Sequence, residues 1–126
     1  MAGIFYKSEA HKARFLATVQ QLGKVYNGKL DQEYGAALYV LTSSHSTWEK
    51  ASNYTSHNGI DFETMLKEVD FSGGYSVLIQ WAANLFNEHI AHCDPIELMR
   101  LDDSNFMVAL NALQLRRVSL PIDDLK

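Results

Sequence analysis

Apolar positions recur along this chain at helical rather than strand intervals. Phe15, Leu16, Val19 and Leu22 follow Ser8, a side chain suited to cap a helix, and Gly23 supplies the stop. Asn27-Gly28 marks a turn, with flanks too short to commit to a hairpin. Asp31 opens a second helix with Tyr34, Ala37, Leu38 and Leu41 on one face. The run 36–41 also reads as a buried strand, but the 3.6 period and the alanines favour a helix.

The polar stretch 42–59 holds a capping box, Ser46-Thr47-Trp48-Glu49, which predicts a short helix to about Asn53 and then a loop ending at Gly59. Asp61 caps the next helix, with Ile60 stapling to Met65, and that helix ends near Val69. Phe71-Ser72-Gly73-Gly74 is the clearest break. The longest helix is expected after it, from about Gly74 to Cys93, carrying a stripe of Leu78, Trp81, Ala82, Leu85, Phe86 and His89. Asp94-Pro95 ends that helix and starts a short one to Leu101. Asp102-Asp103-Ser104 begins the last helix, whose core face is read as Phe106, Ala109, Leu110 and Leu113, with Arg116 and Arg117 in its final turn.

These elements predict one all-α domain over residues 1–126, a bundle of six or seven helices around the Gly74–Cys93 helix. Residues 119–126 are expected to form a loose tail unless Leu120 and Ile122 dock. No repeat, low-complexity tract or linker divides the chain.

Composition adds limits. A length of 126 residues with 47% hydrophobic content supports a core without disulfides. The net charge of −4 disfavours phosphate backbones, and only Lys7, Lys12 and Arg14 or Arg116 and Arg117 approach a basic patch. One cysteine, Cys93, and no apolar leader at the N-terminus fit a cytoplasmic setting, and no apolar run is long enough for a membrane span.

The densest chemistry is Glu88-His89-Ile90-Ala91-His92-Cys93. On one helix, His89 would share a face with His92 and Cys93, and imidazole and thiolate are zinc ligands. This is half a site, because no CxxC or second histidine pair completes it, and the glutamate precedes the first histidine instead of following it. The plainer reading makes His89 and Cys93 a continuation of the apolar stripe. Cys93 is also poorly placed as a nucleophile at a helix C-terminus, where the dipole raises its pKa.

Other patterns are weaker. Ser72-Gly73-Gly74 before a helix could cradle an anion but lacks a P-loop lysine. Trp48, Tyr54, His45 and His57 lie among hydroxyls and amides and form a candidate partner-binding surface, with Trp48 as a core anchor the alternative. Residues 96–101 and 105–117 could form a helix-turn-helix, but acids at the start of its second helix would face phosphates, so no nucleic-acid-binding residue is assigned.

Three stretches in order, Ser8-Glu9-Ala10-His11-Lys12-Ala13-Arg14-Phe15, Ala37-Leu38-Tyr39-Val40-Leu41-Thr42, and Phe71-Ser72-Gly73-Gly74 leading into Ala83-Asn84-Leu85-Phe86-Asn87, resemble a family of small bacterial and mobile-element proteins known only as a domain of unknown function. The resemblance spans roughly residues 4–90. It implies a mostly helical, cytoplasmic protein and carries no assigned activity. Where the family's helix ends in a glycine turn, this chain has Glu88 and His89. The functional expectation is an interaction protein acting through a protein partner or as a homo-oligomer, with no catalytic residue. A zinc-binding protein or metal-dependent enzyme using Glu88, His89, His92 and Cys93 is the alternative, and a helix-turn-helix binder the second alternative.

Overall fold

Every residue from Tyr34 to Leu41 is buried, so one short helix is enclosed by the rest of the chain. The computed structural model describes residues 3–126. In chain order the helices are α1 (Glu9–Gln21), α2 (Gln32–Leu41), α3 (His45–Ala51), α4 (Phe62–Glu68), α5 (Gly74–Phe86), α6 (Pro95–Leu98) and α7 (Asp103–Arg117). Two hairpins interrupt them, β1 (Val25–Tyr26) with β2 (Lys29–Leu30), and β3 (Thr55–Ser56) with β4 (Gly59–Ile60). The chain is thus all-α in its framework, with α2 packed mainly against α7 and α5, and α1 on another side. Gly35 leaves room for the Leu30 side chain, and Ala36 and Ala37 keep α2 slim, which is how a helix can be buried all round.

The expected caps form where the residues provide them. Ser8 Oγ accepts from the His11 N–H at 3.0 Å, and Asp31 Oδ1 accepts from Tyr34 at 2.8 Å. Asp61 caps α4 and Asp102 caps α7 in the same way. Gly23 takes a positive φ of 67° just past α1. The α3 cap differs from expectation. Ser44, two residues before the anticipated Ser46, accepts from the Thr47 N–H, so the helix starts earlier and Ser46 lies inside it.

A short structural repeat is present that the residue pattern did not disclose. Each hairpin has a two-residue turn, then a buried aliphatic, then a capping aspartate: Leu30-Asp31 and Ile60-Asp61. The Asp31 N–H bonds to the Lys24 carbonyl and the Asp61 N–H to the Tyr54 carbonyl, both at 2.9 Å. The two units meet where Tyr34 Oη donates to the Ser56 and His57 carbonyls. The loop expected up to Gly59 is therefore the second hairpin.

Helix α5 stops at Phe86, seven residues short of the expected end at Cys93. Asn87 is extended, and its side chain accepts from the His89 N–H at 3.0 Å, taking a donor that a helix would use. The chain then folds back, held by Asn84 Nδ2 donating to the Ala91 carbonyl at 2.8 Å. The C-terminal residues dock instead of trailing. Leu120, Ile122 and Leu125 are buried, and a 3₁₀ turn spans Ile122–Leu125.

Candidate interaction surface

Helix α7 has two apolar faces, and the core takes the one the sequence did not favour. Val108, Ala109, Ala112 and Leu115, with Asn105, face inward. Two bonds fix this rotation. Trp81 Nε1 donates to the Ala109 carbonyl at 3.0 Å, and Arg116 Nε donates to the Leu85 carbonyl at 2.8 Å. Gln32 Nε2 closes the C-terminal end by donating to the carbonyls of Arg116 and Arg117. Small residues are the physical reason for the choice: Ala109 and Ala112 allow the enclosed α2 to approach, which leucines would prevent.

Of the expected core face, only Ala109 is buried. Leu110 and Leu113 are 44% and 45% exposed, beside Met107 at 40%, while Phe106 is half-buried. Asp103, Met107, Leu110, Gln114 and Arg117 follow one another at alternating four- and three-residue steps, which places them on one stripe. The stripe is acidic at its start, apolar in the middle and basic at its end. Neither Asp103 nor Arg117 takes part in an ion pair among the described residues. Two apolar stripes on one helix were the available signal: a helix apolar on both sides either lies deep inside a protein or meets something else.

The structure does not bring the Glu88, His89, His92 and Cys93 group together on a helix face. Residues 87–94 are not helical, so the one-turn spacing does not apply. Glu88, His89 and His92 are exposed, and Cys93 is buried. His89 and Glu88 line an open cleft of about 520 Å³ with Glu33 and Arg116, while His92 lines another with Asp70 and Gln80. Burial, then the carboxylates of Glu97 and Asp94, push the Cys93 thiol above its ordinary pKa. Among the described residues no group of three or more His, Cys, Asp or Glu side chains is arranged to hold a metal ion.

The other candidates have local roles. His45 pairs with Glu49 on α3 at 3.4 Å, and Trp48 packs against the core. Tyr54 Oη donates to Glu68 Oε1, and His57 Nδ1 lies 2.8 Å from the Leu22 carbonyl. At Gly73-Gly74, the Tyr75 and Ser76 N–H groups already bond back to the Ser72 and Gly73 carbonyls. The cleft beside them contains Glu97, Arg100 and Asp102, and the one cation there, Arg100, is already paired with Glu97 at 3.1 Å. The first helix of the helix-turn-helix reading is α6, a single turn.

His11 is fully buried beneath the N-terminal segment. Its Nδ1 accepts from the Lys7 N–H at 3.1 Å, and its Nε2 donates to the Tyr39 carbonyl at 2.8 Å. Both ring nitrogens are thereby satisfied in the neutral form. Burial lowers its pKa from 6.5 to about 4, outweighing the bond to Tyr39, with Arg14 and Lys7 adding to the fall. Its only signal was a histidine four positions before Phe15, on the face that enters the core.

No helix among the described residues is long and apolar enough to cross a membrane. Comparison of the chain with protein-family models, curated proteins and solved structures finds no match. The class is therefore set by fold and surface alone. The chain is an all-α domain with an apolar stripe, charged at both ends, on the outer side of its C-terminal helix.

Proposed function

We propose that the protein is a non-catalytic interaction module of the cytoplasm, and that it works by docking the outer face of α7 against another protein surface. The observation that supports the reading is the placement of Met107, Leu110 and Leu113 outside the core on the longest helix. Apolar side chains grouped at helical spacing are the usual anchors of helix-mediated association. The single cysteine, kept as a buried thiol, agrees with a reducing compartment.

The test places a photoreactive amino acid at Leu110, or at exposed Glu63 on α4 as a control, and irradiates cells making the full chain. Covalent adducts are expected at position 110 and not at position 63. Absence of adducts at 110, or equal yields at both positions, would overturn the reading.

A further inference from the structure

We infer that the occupant of the α7 face is a second copy of this chain, paired antiparallel about a two-fold axis that passes beside Leu110. The inference rests on the docking role proposed above and names its partner. Leu110 is the midpoint of the stripe, with Asp103 seven residues before it and Arg117 seven after. A two-fold axis at that point sets Leu110 against Leu110 of the second copy. Met107 then faces Leu113, and Phe106 faces Gln114. Asp103 of each copy meets Arg117 of the other, giving two ion pairs that flank the apolar centre.

Charge decides between this arrangement and its parallel counterpart. In parallel, the two Asp103 side chains would oppose each other, as would the two Arg117 side chains. Antiparallel pairing also opposes the helix dipoles favourably. Both charged residues are exposed and have no ion-pair partner among the described residues, so pairing breaks no bridge seen there. A closed two-fold contact uses one patch on both copies and needs no further surface. Fifteen residues of helix span about 22 Å, so a single helix pair belongs with small interfaces, below about 1,200 Å² in total, where association is reversible and depends on concentration.

Sedimentation of the purified full chain over a wide concentration range tests the pairing, with circular dichroism confirming that each variant is folded. The wild type is expected to pass from monomer to dimer. Leu110→Glu should weaken dimerisation at least tenfold. Asp103→Arg and Arg117→Asp should each weaken it about three- to tenfold, since each turns both flanking pairs repulsive. An equimolar mixture of those two variants should regain wild-type affinity as a heterodimer, because each flanking pair then joins an arginine to an aspartate, one in the native sense and one reversed. The double variant carrying both changes should dimerise like the wild type, and added salt should shrink the differences. A wild type that stays monomeric at the highest concentration, or single variants that associate normally, would overturn self-pairing. Position-110 adducts of some other mass would then leave the broader docking role standing, whereas their absence would remove both.

Discussion

The Leu30 side chain fills the space where residue 35 would carry a β carbon. A Cβ built on Gly35 would lie 2.5 Å from Leu30 Cδ2 and 2.6 Å from its Cγ. The two residues sit at the end of the first hairpin and in the first turn of α2, so this contact joins strand to helix at the most enclosed part of the core. Leu30 is buried and has little room to withdraw. Gly35→Ala should therefore destabilise the fold even though alanine favours a helix by about 1 kcal/mol, since overpacking a core costs about 1–3 kcal/mol. The check is a denaturation cycle with Leu30→Ala: the double variant should lose clearly less than the sum of the singles. Additive losses would mean that the two positions are not coupled.

His11 makes the stability of the protein depend on pH. Its folded pKa of about 4 lies below the ordinary 6.5, so between those values the unfolded chain binds the proton and the folded chain does not. Stability from the neutral imidazole is complete above about pH 6.5, falls as pH drops towards 4, and changes no further below that. The full effect is on the order of 3 kcal/mol. Carboxylates titrate in the lower part of this range, so the measurement is a difference between wild type and His11→Gln. The variant should be the less stable at pH 7, and the gap should narrow steadily down to pH 4. A constant gap, or a His11 imidazole titrating near 6.5, would contradict this account.

Local chemistry made much of the fold legible. Ser8, Asp31, Asp61, Asp94 and Asp102 act as caps because each has its carboxylate or hydroxyl next to the start of an apolar pattern, and capping is decided within one turn. Long-range choices were hidden. The end of α5 depends on Asn84 holding the Ala91 carbonyl and on Cys93 returning to the core, and periodicity carries neither. The rotation of α7 depends on how close α2 must approach, so the face richer in large apolar residues is not the inner one. For the same reason the Glu88–Cys93 group read as half a site: its spacing has chemical meaning only on a helix, and the helix ends before it begins.

Cys93 turns that difference into an experiment. The thiol is buried, and its pKa is raised first by burial and then by Glu97 and Asp94. Thiolate is the reactive form, so labelling by a disulfide reagent at pH 7.5 should be much slower in the folded protein than in denaturant. Equimolar zinc should change neither that rate nor the thermal midpoint, because His89 and His92 are exposed and line separate clefts. Zinc that protects Cys93 from labelling, with the protection lost in His89→Ala, would restore the metal reading.

The C-terminal segment should be as necessary to stability as an inner helix. The Leu30 N–H donates to the Leu120 carbonyl at 2.9 Å, and the Ile122 N–H donates to the Gly28 carbonyl at 2.7 Å, so the tail extends the first hairpin. Tyr6 Oη donates to the Leu125 carbonyl at 2.7 Å and ties the tail to the N-terminal segment. Burying Leu120, Ile122 and Leu125 contributes about 1.5–3 kcal/mol each as an upper bound, against a typical total of about 5–15 kcal/mol for a domain. Deleting residues 119–126 should therefore leave the chain largely unfolded or lower its thermal midpoint by well over 10 °C. Leu125→Ala is the milder probe and should cost about 2–5 kcal/mol, whereas deleting Lys126 alone should cost little, because that residue is exposed and only pairs with Asp123. A truncated chain that melts like the full one would show that these three side chains contribute nothing to the core they enter.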